Sequence, residues 1–419
     1  MAPLVGAIAF QRHDLLRSYV RKQRKIATMS SMRRVYLDNN ASTPVLPEVV
    51  EAMRPYFGET FGNASSIHQH GQETRAAVER ARDSVARLLG CRASEVVFTS
   101  GGTEGDNLAI AGLVKAGDHV ISSSIEHHAV LNSCKHLEAL GCEVTYVPVD
   151  GRGLVDPGDI RRALRPTTKL LSIMMANNET GVLQPVEEIG RIAAQSDVYF
   201  HTDAVQAAGK VAVNVQKIGC DLLSISGHKM HAPQGAGALY VRKGTRLQPL
   251  FYGGRHERSR RAGTENVPGI VGLGKAAELA LEALELGHDR NLAALRDRLQ
   301  QGILTQVDEA GVNGDGAPRV PNTTNIFFDH IEGEAMVIAL DLKGLAISTG
   351  AACSSGALEP SHVLVAMGMP GDRARASIRF SLGKQNTAED VEFALALVPE
   401  TVSRLRELSP VYRRQTVSS

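Results

Sequence analysis

Residues 221–229, Asp221-Leu222-Leu223-Ser224-Ile225-Ser226-Gly227-His228-Lys229, decide the fold: a short apolar run breaks into a polar turn that ends on a lysine. The apolar part reads as a strand, and the turn sets the Lys229 amine at its mouth, where its chemistry is usable. The chain then runs into Pro233-Gln234-Gly235-Ala236-Gly237. Upstream, further short β-rich runs recur at 95–99, 119–121, 143–149, 169–175 and 197–201. Helical patterns open near Thr103 and run from about 128 to 140. Strands spaced by helices in this way predict an α/β fold with a mostly parallel sheet covered on both faces. Such sheets carry ligands at the carboxyl ends of their strands. Thr103, Asp203 and Lys229 each follow a predicted strand at that edge.

A chain of 419 residues can bury a large core and predicts two domains, or one large and one small. With 43% hydrophobic and 22% charged residues and a net charge of +1, nothing calls for a nucleic-acid or membrane partner. The 40 glycines cluster in short motifs, as in an enzyme with tight ligand-facing turns. No apolar run approaches the roughly 20 residues that span a bilayer. Cys91, Cys134, Cys142, Cys220 and Cys353 are odd in number and form no CxxC pair, against a disulfide framework or closed zinc site. Residues 1–32 are basic and acid-poor, with Asp14 the single acid, before a new start at Met32. An organellar transit peptide has this bias, and so does a tail behind an upstream start codon. Beyond about residue 269 comes a long Ala-, Leu- and Glu-rich helix, then a smaller region with strands near 325–328 and 377–380.

A lysine that forms a Schiff base needs a partly desolvated amine and an electron sink attached to it. In pyridoxal phosphate enzymes the sink is a pyridine ring kept protonated by a carboxylate, for which Asp203 is the candidate. Gly101-Gly102-Thr103-Glu104 opens a helix whose free N–H groups suit a phosphate. The bland alternatives are a surface lysine in a turn for Lys229 and a helix N-cap for Asp203. Far downstream, Cys353 sits in Ser348-Thr349-Gly350-Ala351-Ala352-Cys353-Ser354-Ser355-Gly356, a loop able to carry a thiol between a ring and a surface acceptor. A thiolate is a strong nucleophile, so amine, carboxylate and thiol together point to an aldehyde cofactor and a sulfur acceptor.

Eleven stretches extend this reading: YLDNNASTP at 36–44, GNASSIHQHG at 62–71, FTSGGTEGDN at 98–107, EHHAV at 126–130, NNETG at 177–181, HTDAVQAAGK at 201–210, SGHK at 226–229, RAGTEN at 261–266, GAACSSG at 350–356, EPSHVL at 359–364 and SIRFSLG at 377–383. In order and spacing the chain resembles the cysteine desulfurases of the nitrogen-fixation and iron–sulfur-assembly type. The resemblance runs from Tyr36 to about Gly383. It implies a fold-type I pyridoxal phosphate transferase within the class V aminotransferase-like fold. The domains would be a basic extension at 1–32, an N-terminal arm at 33–47, a large cofactor-binding domain at 48–266 and a small α+β domain at 267–419 carrying the cysteine loop.

The resemblance also implies roles. Lys229 would hold the cofactor through its amine and then act as the base at the substrate Cα. Asp203 would pair with the pyridine nitrogen, Gln206 with the ring's phenolic oxygen, and His127 would stack on the ring and assist proton transfer. Thr103, Ser226 and His228 would bind the phosphate beside the Gly102 and Gly227 backbone. Thr264 would reach the phosphate of the other subunit, in a homodimer with shared sites. Asn178 and Arg379 would orient the carboxylate of L-cysteine. Cys353 would take the sulfur as a persulfide, with alanine as co-product, for a scaffold or sulfur-carrier protein. There it would share a nascent iron–sulfur cluster transiently, serving iron–sulfur assembly and also tRNA or cofactor thiolation. The expected location is cytoplasmic, or mitochondrial if residues 1–32 are a transit peptide.

Residue by residue, blander readings remain open. His127 competes with His128, Asn178 with a turn-forming role and with Asn177, and Arg379 with a buried structural salt bridge. His68 and His70 alone make a poor metal site. Selenocysteine lyase, transamination and a catalytically silent binding platform are the alternative functions. Three departures from the family pattern stand out: Ser42 for threonine, Ala64 for proline, and His231-Ala232 for Tyr-Gly after the lysine.

Overall fold

A computed structural model describes residues 33–350, 359–409 and 412. Cys353 and the 1–32 extension therefore lie outside the described residues. The central sheet has seven strands: β1 (Val96–Thr99), β2 (His119–Ser123), β3 (Glu143–Val147), β4 (Thr168–Ser172), β5 (Tyr199–Asp203), β6 (Leu222–Ser226) and β7 (Gly237–Val241). Their order across the sheet is β1-β7-β6-β5-β4-β2-β3. Neighbours from β6 to β3 run parallel, while β7 is antiparallel to both β6 and β1. The sequence pattern shows the parallel series but not the reversal at β7. Only the short turn through 227–236 joins β6 to β7, too little chain for a parallel crossover, so β7 returns beside its predecessor.

All five residues of each of β2, β6 and β7 are buried, as expected of strands covered on both faces. The covering helices include α1 (Gln69–Leu89), α2 (Gly102–Ala111), α3 (His128–Ala139), α4 (Val186–Gln195) and α5 (Val267–Glu285). Helices α1 and α5 approach so closely that a Cβ on Gly274 would meet the Ala81 Cα at 2.5 Å. A second, antiparallel sheet is built from β8 (Ala310–Val312), β9 (Thr323–Phe328), β10 (Ser348–Thr349) and β11 (Ser377–Ser381), in the order β10-β11-β9-β8. Helices α6 (His288–Gln306) and α7 (Ala388–Leu408) pack on it. Ile326, Phe328, Phe380, Leu299 and Val398 form its core, which Val35 and Leu37 of the N-terminal arm join. The arm thus crosses from one body to the other. Leu37 and Asn39 bond to the end of β11, and Thr43 bonds to the His228 carbonyl at 2.8 Å in the lysine turn.

One loop at the rim is held in an uncommon conformation. Glu257, Arg258 and Ser259 are successive non-glycine residues at φ +46, +57 and +65°. Glu257 is buried and accepts two bonds from Arg82 of α1, at 2.7 and 2.8 Å, and one from the Phe98 N–H at 2.9 Å. This bidentate, charge-assisted pair holds the left-handed turn against β1. Arg261 further along reaches Glu104 of α2 at 2.9 Å. The loop continues to Thr264, which is exposed.

Candidate active site

Three strand ends build the site. After β1, Gly102 starts α2 with its backbone pressed against its neighbours: a Cβ there would meet Val205 at 2.6 Å and lie 3.6 Å from the Ser226 Cβ. Only glycine lets the first turn of α2 come this near, and that turn presents N–H groups that the helix itself leaves unpaired. Thr103 is exposed at this turn, Ser226 is buried at the end of β6, and His228 is half-buried with Nδ1 3.3 Å from the Ser42 hydroxyl. Burial, then the nearby Lys229, lowers His228 to about 4. An anion cradle of this make-up fits a phosphate.

Asp203 ends β5, buried, with the Val205 N–H on Oδ1 at 2.8 Å. Burial raises its carboxyl to about 6, against the lowering effects of that bond and of Lys229. A buried carboxylate in this state has capacity for one more cationic donor, and a protonated pyridine nitrogen is such a donor. Behind it lie Asp106 and Glu126, both buried carboxyls. Burial, then Asp203, pushes Asp106 well up, while Glu126 is pushed up to about 8. His201 of β5 lies between Ser172 (2.9 Å) and Ser224 (3.1 Å) and 3.5 Å from Asp106.

Of the adjacent imidazoles, His127 is the one on which the Lys229 charge bears. It caps α3 and accepts the Ala129 N–H on Nδ1 at 3.1 Å, so its neutral form carries the proton on Nε2. Burial, then Lys229, His128 and His362, lowers it to about 4. His128 turns away and packs on the His362 ring at 4.8 Å.

The feature that the sequence reading missed is Asn40. Its backbone carbonyl accepts from Lys229 Nζ at 2.7 Å and from Gln206 Nε2 at 3.0 Å. Its side-chain oxygen accepts from Lys210 Nζ and Asn322 Nδ2, each at 3.0 Å. Its Nδ2 donates to Thr323 Oγ1 at 2.9 Å and the Asn178 carbonyl at 3.2 Å, and its N–H donates to Ser381 Oγ at 2.9 Å. Lys229 also donates to the Ala41 carbonyl at 2.8 Å. One buried asparagine on the arm therefore ties the lysine turn, the Gln206 segment and the second sheet together. The quoted stretch YLDNNASTP contains it, but nothing in that local pattern separates Asn40 from its neighbour Asn39.

Asn177 proves to be the turn former: its Oδ1 accepts the Glu179 and Thr180 N–H groups at 2.9 and 3.0 Å. Asn178 is half-buried and contributes its carbonyl to Arg379 at 2.9 Å. Arg379, on β11, also bonds Asp38 at 2.7 Å, the buried salt bridge that the sequence left open. Its Nε finds no acceptor among the described residues. His231, at φ +66°, donates from Nδ1 to the Pro44 carbonyl (2.9 Å) and from its backbone N–H to the Thr43 hydroxyl oxygen (2.7 Å). The departure from Tyr-Gly thus clasps the lysine turn to the arm. Among the other thiols, burial pushes Cys91 and Cys134 up to about 12, and Cys142 and Cys220 upward too, so all four stay protonated at neutral pH.

A fold with its ligand groups at one sheet edge, a glycine-started anion cradle, a buried aspartate and a lysine turn defines a cofactor-dependent transferase of the α/β class. The aminotransferase class-V family matches residues 35–393, and the chain belongs to that pyridoxal phosphate-dependent family. It is 53% identical over 381 residues to a protein of Methanosarcina thermophila named cysteine desulfurase IscS, covering 90% of this chain and 94% of that one. A solved NifS-like protein superposes with a TM-score of 0.82 at 38% identity, over 89% of this chain and all of the other. Another, titled SspA in complex with cysteine, gives 0.74 at 37% identity, over 83% and 98% of the two chains. The fold and family expected from the sequence are borne out.

The state of His127 is directly measurable. Nitrogen NMR of the apoprotein should show a neutral ring protonated on Nε2 at pH 7, titrating near about 4. As pH falls below about 6.5 the unfolded ring takes up a proton that the folded ring refuses, so this group lowers stability from there down to about 4. A ring already cationic at pH 7 would contradict the geometry.

Proposed function

We infer that the protein is a pyridoxal phosphate-dependent cysteine desulfurase, which converts L-cysteine to L-alanine and passes the sulfur to Cys353 as a persulfide. Sulfur held this way serves iron–sulfur cluster assembly, and also tRNA or cofactor thiolation, through a scaffold or sulfur-carrier protein. The observation that carries the reading is that Lys229 and Gln206 converge on Asn40, which shares the Asn178 carbonyl with Arg379, while the Lys229 charge bears on both Asp203 and His127, in a chain so similar to proteins named cysteine desulfurase.

The bound cofactor supplies an electron sink for the pair left at the substrate Cα. Asp203 would hold the pyridine nitrogen protonated, and the α2 N-terminus with Thr103, Ser226 and His228 would hold the phosphate. Gln206 would donate Nε2–H to the phenolic oxygen. Lys229 would anchor the cofactor and move the proton at the substrate Cα; the Asn40 and Ala41 carbonyls orient its Nζ. His127, neutral with a proton on Nε2, would stack on the ring and assist proton transfer as a hydrogen-bond donor. Arg379 and Asn178 would orient the substrate carboxylate. The Cys353 thiolate attacks the substrate sulfur. As the S–S bond forms the Cβ–S bond breaks, and its electron pair takes a proton to give alanine. No external oxidant is needed.

A homodimer with Thr264 reaching the partner's phosphate is part of this reading. Phe57, Phe61, Ile67, Phe251 and Tyr252 are exposed, Ile67 at 93% and Tyr252 at 86%. Ile67 and Phe251 are drawn toward the left-handed loop, since Ser65 meets His256 at 3.5 Å and Arg261 lies over the Phe251 ring at 5.9 Å. An apolar patch of this kind marks an interface. Among the described residues no helix is long and apolar enough to cross a membrane. A cytoplasmic location fits the reduced thiols, or an organellar one if residues 1–32 are a transit segment; N-terminal sequencing of the mature protein decides.

Incubated with pyridoxal phosphate, L-cysteine and a reductant, the purified protein should release alanine and sulfide in equal amounts. Cofactor binding without either product would sink the reading. Lys229→Ala should lose the cofactor's absorbance band, and Cys353→Ala should keep it yet release no sulfide. Arg379→Lys should raise KM about ten- to a hundredfold with the band unchanged. Sedimentation should give a dimer that Ile67→Asp weakens; a monomeric wild type with full activity would contradict shared sites.

A further inference from the structure

Lys210 is buried, and none of the roles above uses it. Its Nζ donates to Gln206 Oε1 at 2.6 Å and to Asn40 Oδ1 at 3.0 Å. Burial, then the charges of Lys229 and Arg379, holds this amine well below the ordinary lysine range. Those two are the charged groups that bear on it. Charged or neutral, the amine has at least two N–H donors, enough for both bonds. With Oε1 occupied, Gln206 is left with its amide nitrogen, one hydrogen of which goes to the Asn40 carbonyl at 3.0 Å. The other hydrogen is the only remaining donor that this side chain has.

We propose that Lys210 is a positioning residue: it holds Gln206 so that its free amide hydrogen meets the cofactor's phenolic oxygen, and steadies through Asn40 the carbonyl that seats Arg379. The second half follows from the bonds Asn40 Nδ2 to Asn178 O (3.2 Å) and Arg379 to the same carbonyl (2.9 Å). Without the lysine, Gln206 Oε1 and one lone pair of Asn40 Oδ1 become buried acceptors with nothing to accept. Gln206 can then rotate to seek another donor, and its aim at the cofactor is lost. A lysine chosen only to fill space would be replaceable by methionine.

The inference rests on the pyridoxal phosphate reading, and the test separates the two. Full-length apoprotein is titrated with pyridoxal phosphate and with its 3-O-methyl analogue, which lacks the free phenolic oxygen. Wild type should bind the natural cofactor markedly more tightly than the analogue. Lys210→Met should bind pyridoxal phosphate roughly tenfold more weakly, the loss of about one buried hydrogen bond, while its affinity for the analogue changes little. Lys210→Arg should restore part of the preference. Gln206→Leu should show the same loss of preference, and adding Lys210→Met to it should weaken binding no further. If Lys210→Met fails to fold, the partial preference of Lys210→Arg and the Gln206→Leu result carry the decision. Wild type that takes up no cofactor overturns both readings. Wild type that binds it, with Lys210 variants of unchanged preference, overturns this one alone.

Discussion

Buried polar groups have to be paired, and in this protein one residue of the N-terminal arm meets that demand for both halves of the site. Asn40 is 1% exposed and uses its N–H, its carbonyl, its side-chain oxygen and its amide nitrogen. Each such group left unpaired would cost about 1–3 kcal/mol. The cofactor lysine, the Gln206 segment and the Arg379 strand therefore adopt positions that all satisfy the same asparagine. Arm, large sheet and small sheet are locked at the point where chemistry takes place.

Charge is sorted across this lock. On one side Asp203, Asp106 and Glu126 are carboxyls that burial pushes up. On the other stand Lys229, Lys210 and Arg379, each hydrogen-bonded to a residue of the arm. A cofactor with a cationic ring nitrogen and anionic oxygens matches that division. Bound as proposed, its nitrogen would relieve the acid side and its phenolic and phosphate oxygens would meet donors. His127, kept neutral by burial and by Lys229, adds a proton donor without adding charge.

Much of this was legible in the sequence because it is local. The strand-then-turn pattern at 221–229 recurs as β6 and the lysine turn, and the Gly101-Gly102-Thr103 opening recurs as the start of α2. Between His127 and His128 the residues alone left the choice open and the family pattern pointed to His127; in the structure the Lys229 charge bears on His127 while His128 packs on His362. Asn177 and Asn178 separate in the same way, one turning its side chain inward to hold a turn and the other presenting a carbonyl. β7 escaped because its direction is set by the brevity of a turn. Asn40 and Lys210 escaped for a different reason. Their partners lie up to 341 residues away in sequence, and hydrogen bonds of that range leave no periodicity to read.

The central claim is that Asn40 joins cofactor binding to substrate binding. The direct test is Asn40→Ala, measured for pyridoxal phosphate affinity and, at saturating cofactor, for the KM of L-cysteine. Both should worsen by about tenfold or more while the far-ultraviolet circular dichroism of the fold is kept. A variant that binds cofactor and cysteine as wild type does would contradict the account.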